Sequence, residues 1–505
     1  MRLSNKNKKY VSEDFLLEFE DITSSFRATK SQPATIVKEA REVVCIARKF
    51  KDEIIRPSVE MIDKAASEDP EFLPWDFVKK ANEWGLYTLF IPMPFGGGGY
   101  NFSCVNFFLE ELGTGCLAMA NLVGVHYLGY TMLTSSWNLK LINQISREIV
   151  ENEQKGKLCL MSVAMTEPDA GTDAQNIELM NNGNLGCIAK KVPGGYSITG
   201  TKIFVSNGHL SQWHVVHAYT NPEKASENTV MLLVKNDSKG FSLGKKEKKM
   251  GQKGCPASEL VFSDCYVPDE LVCIDNTQIA SLKKRPSEVN EQIFAYIWGA
   301  SRASVGIFGV AAARSAYEEA LKFSIDTSFK EKLLIHQEWC QSLLAQMFIN
   351  TSVARAACFE ATQANAQHGL WKILNFKTFY YIMRYTPKKI VEKICTWICE
   401  KTISTKLCRK ITFDYHKDYE VDRVDGWGSM VKVAGTDAGM KNCQLALELM
   451  GSVGVRKDRG LEKIVRDTRL LQIYEGTNEI NRLNIFKRFL QRHCPETETF
   501  SMKNL

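Results

Sequence analysis

Between residues 159 and about 274 the sequence breaks into short runs of β-branched and aromatic residues, among them YSITGTKIFVSNG, WHVVHAYT, VMLLVKN and ELVFSDCYVP, separated by Gly, Asn and Pro. Such runs predict a mainly antiparallel β domain. On both sides the hydrophobic period is helical, as at Val43, Ile46, Ala47, Phe50 and Ile54. An order of helix, sheet, helix without alternating β-α units excludes a doubly wound parallel sheet. The expected class is mainly α with a central β domain. Its expected segments are a flexible tail over 1–40, a helical domain over 41–158, the β domain over 159–276 and a helical bundle over 285–490.

Several local features fit this frame. The stretch IPMPFGGGGYN at 91–101 has four glycines but no Lys-Ser/Thr after them, so it predicts a flexible turn before a helix from Cys104 to Gly113 rather than a phosphate loop. His214 and His217 stand three apart on a predicted strand, which sends them to opposite faces and argues against a metal pair. From Ser429 to Met450 a mostly apolar stripe predicts a long helix stopped at Gly451.

The 505 residues carry 64 Lys and Arg against 58 Asp and Glu, but residues 371–410 alone hold ten basic and two acidic side chains. Global basicity is therefore local, and a nucleic-acid partner is not expected. The amino terminus, MRLSNKNKKYVSEDF, has no apolar core region or small-residue cleavage site, and fifteen cysteines are scattered from Cys45 to Cys494. A cytoplasmic, reducing location is the expectation.

Gly-x-Ser-x-Gly, His-Glu-x-x-His, Cys-x-x-Cys and a phosphate-loop lysine are all absent from the sequence. Cys395, Cys399 and Cys408 lie near one another but lack a histidine or a second ligand pair at zinc-site spacing, so no metal is expected. Two boundary segments have more to offer. AMTEPDAGTD, residues 164–173, brings hydroxyls and turn amides together at the entry to the β domain. In QIYEGTNEINR, residues 472–482, Glu475 precedes a glycine that lets backbone approach a ligand, and a desolvated carboxylate there would gain proton affinity toward that of a general base. Read alone, each also fits an ordinary turn.

Five stretches, IPMPFGGGGYNFSCVNFFLEELGTG, AMTEPDAGTD, GTKIFVSNG, EKKMGQKGCPASELVFSDCYVP and RDTRLLQIYEGTNEINR, together resemble the acyl-CoA dehydrogenase family, in its order and over about residues 40–490. The resemblance implies a helical domain, a β-barrel-like middle domain, a C-terminal four-helix bundle and an oligomer. It implies FAD and α,β-dehydrogenation of an acyl-CoA in fatty acid metabolism, Glu475 taking the α proton while the β hydride passes to flavin N5. An electron-transferring flavoprotein or similar acceptor would follow; the same site run backwards would be an enoyl-CoA reductase. By the same resemblance Met165, Thr166, Phe204, Ser206, Thr477 and Glu479 contact flavin, Thr172 is shared between flavin and CoA, Arg302 lies near the CoA, and Tyr474 lines the acyl pocket. Some relatives keep the base one residue before that arginine; Ser301 stands there, so Glu475 has no obvious rival.

Two positions depart from the family pattern. Asp326 replaces an arginine that reaches across a dimer to flavin pyrophosphate, and ELMGSVG places Glu448 and Ser452 where a glutamine and a glycine are usual. Gly451 and Ser452 belong to this element, which serves a neighbour's flavin. At about 4 Å and an effective dielectric of about 20, replacing a cation by an anion there costs about 4 kcal/mol for each sign. Either Lys330 or Lys332 restores the charge, or the chain is a weak or non-catalytic subunit paired with a different one. Finally, residues from about 368 to 427 interrupt the bundle with aromatic residues, from Trp371 to Trp397, interleaved with lysines. That composition suits peripheral contact with a membrane through 371–410, an acidic partner, or solvated helices covering the bundle end.

Overall fold

The computed structural model describes residues 32–367, 372, 376–416 and 418–500. Most of the expected tail over 1–40 lies outside these residues, as does Trp371; from Ile36 the chain is helical.

The N-terminal helices are α1 (Ile36–Phe50), α2 (Arg56–Glu68), α3 (Trp75–Glu83), α4 (Val105–Gly113), α5 (Leu117–Ser135) and α6 (Leu139–Gln154). Val43, Ala47 and Phe50, one stripe of α1, are buried with Phe108, Leu109 and Leu112 of α4 in one core. The glycine run before α4 is a packed turn, contrary to the flexible one expected. A Cβ at Gly97 would lie 2.3 Å from the Ile91 carbonyl oxygen and one at Gly98 2.7 Å from that of Leu89. The Gly98 N–H donates to Thr88 O at 2.9 Å, so the glycines are required for close backbone approach.

The middle domain is one eight-stranded sheet. Its strands are β1 (Met161–Ala164), β2 (Ile188–Val192), β3 (Gly195–Ser206), β4 (Trp213–Tyr219), β5 (Thr229–Lys235), β6 (Phe241–Lys246), β7 (Ala257–Pro268) and β8 (Val272–Ile274). They run in the order β6-β7-β3-β2-β4-β5-β8, with β1 beside β4. Pairing is mainly antiparallel, and β1 joins β4 in parallel. On β4, His214 bonds Ser162 Oγ at 2.7 Å and Asn236 Oδ1 at 2.6 Å, whereas His217 packs on Phe294 with ring centroids 5.0 Å apart. Burial holds both imidazoles neutral, at about 4 and about 3.

The C-terminal bundle packs α7 (Pro286–Asp326), α8 (Glu338–Ala366), α12 (Asp418–Met450) and α13 (Leu461–Leu471); between α8 and α12 run α9 (Lys377–Tyr385), α10 (Lys388–Cys399) and α11 (Thr402–Arg409), and α14 (Asn478–Ile485) follows α13. Helix α12 begins eleven residues before Ser429, so the end of the stretch assigned to an interruption belongs to the bundle. The reason is its contact with α7, where Gly299, Gly306 and Gly309 face Gly428, Gly435 and Gly439. A Cβ at Gly435 would sit 2.2 Å from Gly306 O, and one at Gly309 2.3 Å from Gly435 O. Only hydrogen fits in this seam.

Helices α9 to α11 pack on the N-terminal domain rather than over the bundle end. Two of them, α10 and α11, lie along α6: Arg147 Nη2 donates to Glu392 O at 3.2 Å and to Thr396 Oγ1 at 2.7 Å, and Leu139 N donates to Thr405 Oγ1 at 3.2 Å, whereas α9 meets α1, Arg384 Nη1 donating to Glu39 Oε1 at 3.0 Å. Arg409 donates to Ser136 O at 2.9 Å and to Cys273 O at 2.8 Å, tying α11 to both preceding domains. The apolar inner residues Val391, Cys399 and Phe413 explain this seat.

Overpacking the glycine seam is expected to be costly. Gly435→Ala should lower unfolding free energy by about 2–3 kcal/mol, read from the urea midpoint.

Candidate active site

Glu475 lies in the link between α13 and α14, with φ of +58° at Glu475 and +79° at Gly476. A non-glycine residue in the left-handed region costs about 1–2 kcal/mol, so this turn must be held by its surroundings. Three side chains hold its carbonyls. Arg302 Nε donates to Glu475 O at 3.3 Å, Lys432 Nζ to Gly476 O at 2.8 Å, and Asn481 Nδ2 to Gly476 O and Thr477 O at 2.9 Å each. The Thr477 hydroxyl caps α14 by accepting from Ile480 N at 3.3 Å.

Arg302 is buried on α7 and is anchored to α12. Its Nη1 donates to Asp425 Oδ1 at 2.7 Å and to Ser429 Oγ at 3.0 Å, and Arg488 Nε meets the other Asp425 oxygen at 2.9 Å. The flanking arginines hold the buried Asp425 carboxyl below its usual range against its desolvation. Burial and the neighbouring Arg302 charge bring the Lys432 ammonium down to about 7.

The Glu475 side chain enters a cavity of about 520 Å³. Oxygen Oε2 of Glu475 is buried without a hydrogen-bond partner among the described residues. Desolvation raises its carboxyl above the ordinary value, opposed by the charge of Arg302, a hydrogen bond from Ser301 and the charge of Lys432. Among the described residues the Glu475 backbone N–H donates to no backbone carbonyl.

One side of the cavity is formed by the loop after β1 and by β3: Met165, Thr166, Gly171, Thr172, Ile203, Phe204 and Ser206. A second buried clamp fixes this side. Lys202 Nζ donates to Met165 O at 2.8 Å and to Glu167 Oε1 at 2.7 Å, and Cys187 N donates to Glu167 Oε2 at 3.1 Å. Ile203 N donates to Thr166 O at 2.8 Å. Phe204 sits at a register shift of β3 with φ of +55° and remains 57% exposed, an aromatic face left bare at the cavity. Much of the remaining lining is apolar, with Phe102, Val105, Leu109, Leu128, Val305 and Phe308.

The cavity thus brings together Met165, Thr166, Thr172, Phe204, Ser206, Tyr474, Glu475 and Thr477. Four expected positions lie elsewhere. Arg302 stands behind the base's turn, bound to Asp425 rather than lining this cavity. Glu479 is exposed and borders a separate recess with Asp437 and Arg482. Gly451 and Ser452 are exposed beyond the end of α12, outside the cavity's lining. Asp326 and Glu448 are exposed as well, as are Lys330 and Lys332 on the hairpin after α7.

Sequence reasoning missed Lys249 and Gln252, which line the cavity, and the supporting Lys202, Glu167, Asp425 and Lys432. Glu167 and Lys202 fall inside segments that had already drawn attention, AMTEPDAGTD and GTKIFVSNG. Asp425 and Lys432 carry no local signal, because their partners are 123 and 44 residues away.

Comparisons with known proteins agree with this layout. The acyl-CoA dehydrogenase N-terminal domain matches residues 38–136, the middle domain 162–265, and the C-terminal domain 295–375 and 390–490. The chain belongs to the acyl-CoA dehydrogenase family, flavoprotein oxidoreductases acting on the CH–CH group of acyl-CoA thioesters. The C-terminal match breaks only over residues 376–389, so of the stretch read as an insertion, about 368–427, α9 falls in the break while most of α10 and all of α11 match the family. The chain is 24% identical to acryloyl-CoA reductase (NADH) of Anaerotignum propionicum, over 92% of its own length and 97% of that protein. It is 26% identical to an acyl-CoA dehydrogenase of Bacillus subtilis, over 88% and 96%. Butyryl-CoA dehydrogenase from Megasphaera elsdenii has the same fold, with a TM-score of 0.66 at 19% identity over 90% of this chain and 98% of that one.

Asp425→Ala would leave Arg302 buried without its carboxylate. A loss of about 3–5 kcal/mol in unfolding free energy is expected, measured by chemical denaturation.

Proposed function

We propose that this protein carries out FAD-dependent α,β-dehydrogenation of an acyl-CoA, with Glu475 removing the α proton. The observation that carries the reading is the Glu475 carboxylate, with one oxygen buried and unpartnered in a cavity that Met165 and Thr166 also line. A base must be both unpaired and raised in proton affinity to take a proton from carbon, and desolvation supplies the second condition.

The residues present fit a flavin. Phe204 offers an exposed aromatic face, Gly171 has nothing within 4 Å of where a Cβ would be, and Thr166, Thr172 and Ser206 supply hydroxyls on the same side. Met165, Thr166, Thr172, Phe204, Ser206 and Thr477 would hold the cofactor, which when bound supplies the hydride acceptor. Glu479 and the pair Gly451 and Ser452 would take part only toward a different section of flavin or a neighbouring subunit's site.

On the thioester, the backbone N–H of Glu475 would donate to the carbonyl oxygen as enolate charge develops. The Ser301 hydroxyl orients the carboxylate, while Arg302, Lys432 and Asn481 keep the turn fixed so that proton transfer requires no backbone rearrangement. Phe102, Val105, Leu109, Val305 and Phe308 surround the acyl chain and exclude water. Electrons would leave to an electron-transferring flavoprotein or similar acceptor. A second reading, reduction of an enoyl-CoA, uses the same residues and is favoured by the likeness to acryloyl-CoA reductase (NADH).

Glu475→Gln should lower dehydrogenation with an artificial electron acceptor at least about a thousandfold while bound flavin stays stoichiometric. Unchanged turnover would overturn the assignment. In the native protein, kcat/KM should rise with pH through an apparent pKa above the ordinary carboxylate value of 4.5, because the protonated carboxyl cannot act as a base. FAD counted per subunit in the chain expressed alone tests the exposed Asp326 and Glu448: one per subunit in a homo-oligomer excludes dependence on a different subunit.

A further inference from the structure

Helices α9 to α11 present an outer face that the fold leaves uncovered. Of 28 large hydrophobic side chains exposed among the described residues, eleven fall between 376 and 415. Isolated exposed hydrophobic residues are ordinary, but a cluster of this kind marks a surface meant to be covered. On α10, Ile390, Ile394 and Trp397 follow helical spacing with 50%, 52% and 64% exposure; Ile403 and Leu407 repeat the pattern on α11 with 75% and 55%. Their inner faces share one support. Val391 and Cys399 are buried, and the bonds from Arg147 and Leu139 fix both helices on α6, so the apolar rows share the side facing away from the protein.

The charge on this face is one-sided. Residues 376–416 carry nine Lys and Arg against three Asp and Glu. The inward cations are committed: Arg384 pairs with Glu39 at 3.0 Å, and Arg409 is buried on backbone carbonyls. Lys389, Lys393, Lys406 and Lys410 are exposed and pair with no carboxylate among the described residues. Lys401 lies 5.4 Å from the centre of the Trp397 ring, a cation beside an aromatic that is itself mostly exposed.

We infer that this face docks on an anionic lipid surface, with α10 and α11 lying in the interface. Isoleucine, leucine and tryptophan enter the headgroup and upper acyl region, and lysines reach the phosphates with their stems along the apolar surface. Tyr385, 79% exposed at the end of α9, and Trp397 have the amphipathic rings favoured at that depth. The placement also bears on the cavity. Tyr380, Met383 and Arg384 of α9 surround a small recess with Phe102, which lines the active-site cavity, so the lipid-facing layer and the cavity have a wall in common. The inference does not depend on the proposed reaction.

The test is flotation of the full chain with vesicles of phosphatidylcholine, alone or mixed with phosphatidylserine. The unmodified protein should float with the mixed vesicles, less so as salt rises, and only weakly with phosphatidylcholine. The double variant Ile394→Asp, Trp397→Asp should bind at least about tenfold less, and charge reversal at Lys389, Lys393 and Lys406 should remove the preference for anionic lipid, about fivefold for each lysine's attraction lost. Thermal unfolding should stay unchanged, because all five side chains are exposed. Failure of the unmodified protein to float with either vesicle, or equal flotation of the variants, overturns the inference. A change in oligomeric state of the variants without vesicle binding would make the face a protein interface and would also overturn it.

Discussion

The contact between α7 and α12 decides where the chemistry can occur. Six glycines let the two backbones approach until a Cβ at any of them would come within 3 Å of a carbonyl oxygen of the facing helix. At that separation Arg302 on one helix reaches Asp425 and Ser429 on the other through Nη1, and its Nε–H holds the Glu475 carbonyl. Wider spacing would separate the ion pair and release a turn whose left-handed backbone is unfavourable without support. Helix packing, a buried charge network and the position of one carboxylate are thus successive consequences of the same small residues.

The cavity is bounded by two such clamps. Arg302, Lys432 and Asn481 fix the turn bearing Glu475; Lys202 and Glu167 fix the loop bearing Met165 and Thr166. In each, a cation donates to backbone carbonyls while a buried carboxylate or amide satisfies its remaining hydrogens. Both walls of the cavity are therefore set before any ligand arrives, which is the condition for transition-state stabilisation without reorganisation.

Much of this was legible in sequence because the signals are local. Short β-branched and aromatic runs marked β3, β4, β5 and β7, helical period marked α1 and α12, and the turns at 164–173 and 472–482 stood where texture changes. What was not legible depends on distance or on the third dimension. The glycines at 96–99 read as flexible because their neighbours Leu89 and Ile91 give no sign that backbone passes beside them. The tie of Arg302 to Asp425 was not legible because the two lie 123 residues apart. The stretch before Ser429 read as an interruption because its Val and Gly residues make sense only against α7. Of the readings open for residues 371–410, that of helices covering the bundle end does not hold, and only buried inner residues reveal the seat of α10 and α11 on α6.

The central claim is that the carboxylate at 475 exchanges protons with the carbon next to a thioester. Exchange of the α hydrogens of a bound acyl-CoA analogue that cannot be desaturated, followed in deuterium oxide by NMR, tests this without any electron acceptor. The account predicts deuterium incorporation by the flavin-loaded protein and none above background when Glu475 is replaced by Gln. Equal incorporation by both proteins would contradict it.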